Sequence, residues 1–578
     1  MSSNEKSNIY KMPQIQNLKE LTNMFANYED NIAFKYKKFD TTSTEKFEYV
    51  NISFKQFKLD IDCLGTKLID LGLKNKKIAI IGPNCYEWCI SYFACVAGTG
   101  VVVPLDKSLP DTEIENLIIR SNVEAVIYNN DYSTVFEKIK KEKKSSLKYF
   151  INMSTTPSEH CLKIFDLISD GKKLLDSGNQ QFINAEINND EMSIMLFTSG
   201  TTSMSKAVML SHSNIASNVN SICRILKTTS EDTLLSFLPL HHTFECTTTF
   251  LSGLYMGSSI AFCDGIKYIA KNMEEYKITT FVVVPILLES MYKRVLKGIE
   301  SSGKTDLIKR LTKISNFLLK FKIDIRKQLF KSILDKFGGK LNLIVSGAAA
   351  LDKKTLEGFR GFGITVLQGY GLTETSPVVA VENQNYMKAG SVGVPLYDVE
   401  IKINEPDKDG IGEIIIKGPN VMLGYYNNEE ETNKVLKNGW FYTGDIGYID
   451  EQGFIFLTSR QKNVIVLKNG KNIFPEELEV LVNNITGVAE SIVYGKPDKD
   501  NDLIICVKIV YDENTMKETY PNTEKEDYSN ILKEEIKKIN KTMPAYKYIR
   551  DVIVTDEPLI KTTTQKVKRH EEIAKILK

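Results

Sequence analysis

No stretch of the 578-residue chain is long and apolar enough to span a bilayer. The richest apolar run, Tyr92 to Leu105, is short and broken by glycine, where a spanning helix needs about 20 apolar residues. The opening Met-Ser-Ser-Asn-Glu-Lys lacks the apolar segment of a secretory leader. An excess of one charge sign is missing too. Lys and Arg number 74 against 73 Asp and Glu, a net charge of +1, which excludes the whole-molecule field of a nucleic-acid binder. The nine cysteines form no Cys-x-x-Cys pair, and the five histidines are too scattered for a zinc site. These absences leave a reduced, cytoplasmic enzyme or binding protein, soluble or at most peripheral to a membrane.

What is present is an alternation of helical and extended patterns in a chain long enough for more than one domain. Ile52–Leu71 has apolar residues at helical spacing, Lys77–Asn84 reads as a buried strand ending in a turn, and Glu87–Ala97 as a helix before the strand Gly100–Pro104. Strands alternating with helices predict doubly wound α/β layers. The pattern resumes with a helix expected from an N-cap at Asn214 to about Leu226, then strands at Thr233–Leu238 and Thr279–Pro285. After Glu382, short strands with Gly and Pro turns predict a small β subdomain, and about a hundred residues beyond Lys462 read as a second, α+β domain.

Between the apolar runs Ile194–Phe197 and Ala207–Leu210 lie Thr198, Ser199, Gly200, Thr201, Thr202, Ser203 and Lys206. Two strands joined by hydroxyls, a glycine and a lysine offer converging donors and one ammonium to a polyphosphate. A literal Gly-x4-Gly-Lys-Thr match occurs elsewhere, Gly298 to Thr305, but helical spacing precedes it rather than a buried strand. It is expected to be a loop between helices, and a P-loop ATPase using it is the alternative from another class.

Four further segments carry chemistry. Pro239-Leu-His241-His242 follows a strand, and a structural turn or a ligand gate would each account for the His pair. Leu341–Ala350 opens into a small-residue turn, Gly347, Ala348, Ala349, that admits a flat ligand to the backbone. In Gln368-Gly369-Tyr370-Gly371-Leu-Thr373-Glu374, Tyr370 reads as an aromatic face in an open turn, and Glu374 as a hard oxygen ligand for Mg²⁺. Asp445 and Arg460, each expected at a strand end, suit ribose hydroxyls. Residues 304–340 carry eleven Lys/Arg against three Asp and no Glu, with Phe317, Phe321, Ile325, Leu329 and Ile333 at a four-residue step. They read either as a solvated basic face or as a patch for anionic lipid or cofactor phosphates.

In order, FTSGTTSMSK, PLHHTFE, SGAAAL, QGYGLTETSP, YTGDIGYID, SRQKNVIVLKNGKNIFPEELE and KTTTQKVKR resemble the adenylate-forming (AMP-binding) superfamily, and within it acyl-coenzyme A synthetases of the long-chain fatty acid type. The resemblance covers about residues 20 to 575. It implies an adenylation domain at 1–459, a hinge at 460–462 and a mobile C-terminal domain at 463–578. It implies ATP, Mg²⁺ and coenzyme A, with a medium- to long-chain fatty acid joined first to AMP and then to the thiol. A carrier-protein phosphopantetheine acting in trans is the alternative acceptor. By the same resemblance, Thr198 to Ser203 and Lys206 would hold the β- and γ-phosphates, and Tyr370 with Gly347–Ala349 would enclose adenine. Thr373 would meet the α-phosphate, Glu374 would bind Mg²⁺, and Asp445 and Arg460 would hold the ribose. His242 would gate the acyl pocket, Lys462 would be the hinge, Lys566 the adenylation lysine, and the Gly470 loop would line the thiol's path. The chain departs from the family pattern at Ser203-Met-Ser-Lys206-Ala207, at Ser459 and at Gln565, where glycine or proline is usual.

Overall fold

The computed structural model describes residue 10 and residues 13–578, apart from 41–42, 155–160, 199–204, 468–471, 499–502 and 562–566. Two large twisted sheets form the body. One has nine strands in the order Val394–Pro395, Val378–Val381, Thr365–Gly371, Leu343–Ser346, Thr280–Val283, Thr233–Ser236, Ser259–Phe262, Ile32–Asp40, Ser43–Ser53. Its interior pairs are parallel, and antiparallel strands close each edge. The other has eight, Gly424–Tyr425, Lys206–Ser211, Met192–Thr198, Gly100–Pro104, Lys76–Ile81, Ala125–Tyr128, Tyr149–Asn152 and Leu162–Lys163. Strands covered by helices on both faces must be apolar throughout. Ala125–Tyr128, Thr280–Val283 and Leu343–Ser346 accordingly have every residue buried. One apolar cluster, from Phe25 and Phe34 through Phe93 and Phe250 to Ile455, joins the two sheets.

The expected β subdomain is a five-stranded antiparallel sheet built on Glu400–Asn404, Gly412–Lys417, Trp440–Ile449 and their neighbours. Beyond it a three-stranded sheet, Val488–Pro497, Leu503–Tyr511 and Ile549–Thr555, carries its own apolar core from Ile465 to Ile549.

Several sequence expectations shift at element ends. Ser211 rather than Asn214 caps the helix His212–Ile225, because the Ser211 hydroxyl accepts from the Asn214 N–H while the Asn214 side chain accepts from the Ser211 N–H. That frees Asn214 and Asn218 to donate from inside the helix to backbone oxygens of Pro419, Val421 and Val378. The helix begun at Tyr86 becomes a π-turn over Cys95–Thr99. Gly298 lies within the helix Pro285–Ser301 and Thr305 starts the next, Thr305–Leu319, so the 298–305 match has no preceding strand and is no P-loop. Among the described residues no helix is long and apolar enough to cross a membrane.

Gly171 marks the tightest helix crossing. A Cβ there would lie 1.9 Å from the Cys63 carbonyl oxygen, so the helix Ile164–Asp176 rests directly on the backbone of Phe54–Asp70. Gly171→Ala is expected to destabilise the fold by about 1–3 kcal/mol, the usual cost of overpacking. Equilibrium denaturation checks this; an unchanged midpoint would contradict the crossing.

Candidate active site

Ligands of doubly wound sheets bind at the carboxyl ends of the parallel strands, and the predicted site residues gather there. Thr198, Lys206, His242, Gly347, Glu374 and Arg460 all line one cleft of about 2690 Å³. Pockets that take a single drug-sized molecule measure about 300–1,000 Å³, so the cleft has room for several substrates.

Thr198 and Lys206 face each other across the hairpin Met192–Thr198/Lys206–Ser211. Lys206 is not free in solvent: its Nζ lies 2.5 Å from Glu431 Oε2 and 4.8 Å from the Tyr425 ring centroid. The Lys206 ammonium holds the Glu431 carboxyl down at about 2. Tyr425 in turn donates to Glu374 Oε1 at 3.0 Å. A cation and the candidate metal ligand are thus spaced by one tyrosine. Glu374 sits in a 3₁₀ turn, Thr373–Thr375. Asn420 fixes that turn by donating to the Thr375 carbonyl, and Met422 N–H donates to the Glu374 carbonyl at 2.8 Å. Gly371 is required just before it, since a Cβ would lie 2.0 Å from the Pro377 oxygen.

Tyr370 is not in an open turn. The strand Thr365–Gly371 continues through it, because it pairs with Ala380 of the antiparallel neighbour, and the residue is buried. Its hydroxyl donates to Asp445 Oδ2 at 2.6 Å, while Arg460 Nε lies 2.9 Å from Asp445 Oδ1. Burial and the facing carboxylate push the Tyr370 phenol well up, and the Asp445 charge raises the Arg460 guanidinium. Arg460 does end its strand, but Asp445 lies in the middle of Trp440–Ile449, opposite Arg460 in register. Partial burial and the Arg460 charge lower the Lys462 ammonium to about 8. Phe244 covers the Gly347 turn: a Cβ at Gly347 would lie 2.8 Å from its ring. Ala348 holds a left-handed φ of 72° beside it.

The two histidines differ. His241 lies 3.6 Å from Asp106 Oδ2, and burial lowers its pKa. His242 caps the turn Thr243–Glu245, its Nδ1 accepting from Phe244 N–H at 3.2 Å, which leaves Nε2 to carry the proton of the neutral ring. Behind them Asn84 donates to Ser236 Oγ and the Leu238 carbonyl and accepts from Leu240 N–H, fixing the loop. Glu245 is fully buried. Its Oε2 accepts from Thr249 at 3.0 Å, and burial outweighs the hydrogen-bonding groups of Ser236, Thr249, Phe237 and Leu238 around the carboxyl, pushing it up to about 8. A small void of about 10 Å³ lies among Tyr92, Ile194, Leu196, Leu240, His241 and Cys246. Two π-turns, Cys95–Thr99 and Cys246–Leu251, lie in the segments that line this region.

Ser199, Gly200, Thr201, Thr202, Ser203, Gly470 and Lys566 lie outside the described residues. Tyr425, Glu431, Asn420, Asn84 and Asp106 were not legible as site residues; each is recognisable only by its partner.

The fold and the cleft define a nucleotide-using α/β enzyme with a separately cored C-terminal part. The chain belongs to the AMP-binding enzyme family: the family pattern for an AMP-binding enzyme matches residues 22–426, and that for the AMP-binding enzyme C-terminal domain matches 462–576. It is 31% identical to long-chain-fatty-acid–CoA ligase 5 of Rattus norvegicus, over 78% of this chain and 69% of the relative. It is 29% identical to long chain acyl-CoA synthetase 3 of Arabidopsis thaliana, over 82% and 75%. The crystal structure of the anthranilate CoA ligase AuaEII with anthranoyl-AMP has the same fold, with a TM-score of 0.76 and 17% identity over 100% of this chain and 99% of that one.

Two measurements check the electrostatics. Competitive acylation read by mass spectrometry should titrate Lys462 near pH 8 rather than 10.5; a midpoint above 10 would place the amine in open water. Glu245 binds its proton in the folded state up to about pH 8 but releases it near 4.5 when unfolded. The folded state therefore holds more protons across that window, and this group's contribution to stability falls as pH rises through it. Glu245→Gln should remove that slope, gaining on the wild type between pH 5 and 8 in denaturant titrations. Parallel stability–pH curves would refute the buried acid.

Proposed function

We propose that the protein is an ATP-dependent acid–thiol ligase that activates a medium- to long-chain fatty acid as acyl-AMP and transfers it to coenzyme A, in the cytoplasm. The observation that carries this reading is the placement, on one cleft of an AMP-binding family member, of Lys206, Glu374 and the Asp445–Arg460 pair. Two named relatives are ligases or synthetases of long-chain acids. The nine cysteines, all free, agree with a reducing compartment.

In the first half-reaction a carboxylate oxygen bonds to the α-phosphorus, and the bond to pyrophosphate breaks. Lys206 exchanges Glu431 for oxygens of the leaving phosphates. Asp445, with Arg460 behind it, accepts from the ribose hydroxyls, and Thr373 faces the α-phosphate. Glu374 fits Mg²⁺ as a single carboxylate in a turn. Oxygens of the triphosphate and water would complete its shell, as is usual for this cation. Bound there, Mg²⁺ supplies neutralising charge to the phosphates. In the second half-reaction the sulfur bonds to the acyl carbon and AMP leaves. His242, held through Nδ1 by the Phe244 N–H, lines the cleft beside this step. A long acyl chain would enter past His241, where the small void and the two π-turns lie.

Lys566 and the Gly470 loop take the roles that the family resemblance implies, with the domain beyond Lys462 presenting each in turn. At ~4 Å and an effective dielectric of ~20, a lysine between two anions is worth about 4 kcal/mol, roughly three decades of rate. Lys566→Ala should lose adenylation on that scale yet still convert supplied acyl-AMP to thioester; equal loss of both half-reactions would sink the two-position reading. AMP and pyrophosphate should be the nucleotide products, and a chain-length series should favour twelve- to eighteen-carbon acids. ADP and phosphate would overturn the ligase reading, and a preference for acetate or an aryl acid would overturn the substrate.

A further inference from the structure

The basic region 304–340 does not form the single apolar face that its four-residue step predicted. Lys322 takes a left-handed φ of 61°, ending the helix Thr305–Leu319, so the step is not propagated. Ile333 is buried, and Ile308, Leu311 and Leu329 pack on the core beneath the nine-stranded sheet. Leu307, Ile314, Phe317 and Phe321 point the other way. Each is 51–63% exposed, and their spacing of seven, three and four aligns them along one stripe of the outer face. The Phe317 and Phe321 rings meet edge to face at 5.3 Å.

Lys309, Lys313 and Lys320 flank that stripe on one side, and Arg310 lies within it. With Lys304 and Lys322 they make six cations against the single Asp306 between 304 and 322. Ion pairs occur just outside, at Lys297–Glu518 and Arg326–Asp324, but among the described residues none of the six is in one. In a chain of net charge +1, this concentration is local. An exposed apolar stripe with phenylalanines, edged by unneutralised lysines whose stems reach sideways, is what a helix lying in a membrane interface requires.

We propose that the helix Thr305–Leu319 and the turn through Phe321 form a docking surface for a bilayer that carries anionic phospholipid headgroups. The stripe enters the acyl boundary, and the lysines stay at headgroup level. The helix packs against Pro285–Ser301, whose Ile286, Glu289 and Lys293 line the cleft. The docked face thus lies one helix away from the site. The surface stands on its own geometry and does not depend on the ligase reading.

The full-length protein is mixed with vesicles of phosphatidylcholine alone or with phosphatidylglycerol added, and binding is read by sedimentation at low and high salt. Binding should require the anionic lipid and weaken with salt. Lys309→Gln/Lys313→Gln/Lys320→Gln should weaken partitioning about a hundredfold, and Phe317→Ser/Phe321→Ser should abolish it. Both variants should keep wild-type unfolding curves, since these side chains are solvent-exposed. In Phe317→Trp, indole emission should shift to the blue on anionic vesicles only. Absence of wild-type binding, equal binding to neutral lipid, or binding untouched by either variant would overturn the proposal. So would a wild-type dimer that Phe317→Ser/Phe321→Ser splits, which would assign the stripe to a second copy of the chain.

Discussion

Asp445 is the carboxylate on which the rest of the cleft depends. It accepts from the Tyr370 hydroxyl at 2.6 Å and pairs with Arg460 at 2.9 Å. Those two contacts tie the nine-stranded sheet and two neighbouring strands of the β subdomain to one side chain. A buried carboxylate is tolerated only when its lone pairs are occupied and its charge is met. Asp445 is 5% exposed, so Tyr370 and Arg460 cannot both drift without leaving it uncompensated. The strand placement of Tyr370 follows from the same requirement: a tyrosine in a loose turn could not hold its hydroxyl on a fixed acceptor.

The second polar chain, Lys206 to Tyr425 to Glu374, has different physics. Here the charges lie nearer solvent, and the ammonium is satisfied by Glu431, the partner that the proposed mechanism replaces with phosphate oxygens. One set of contacts holds the architecture together, while the other holds a cation at the cleft by a single partner.

Much of this was readable from residues alone. The hairpin around Lys206, the strand leading to Gly347 and the Glu374 turn each carry a local signature, an apolar run bounded by small or hydroxylated residues, and local signatures survive in sequence. What was not readable depends on distant pairings. Glu431 is 225 residues from Lys206, and Tyr425 is 51 from Glu374; no spacing rule connects them. Asp445 was expected at a strand end and stands mid-strand, because Gly444, at a φ of 70°, bends the strand without ending it. The apolar step through Phe317 and Ile333 failed for the opposite reason: a periodicity was real on each side of a break that only the backbone at Lys322 reveals.

The C-terminal part keeps its apolar side chains to itself, in a core running from Ile465 to Ile549. Among the described residues it meets the body through polar pairs: Ser459 of the body donates to Glu476, and Lys297 of the body pairs with Glu518. Turning this part about Lys462 would exchange such contacts for water and expose little hydrocarbon. Hydrocarbon exposure is what gives protein transitions a large heat-capacity change. A reorientation of this kind would carry a small one, so its equilibrium would drift little with temperature and respond instead to ionic strength.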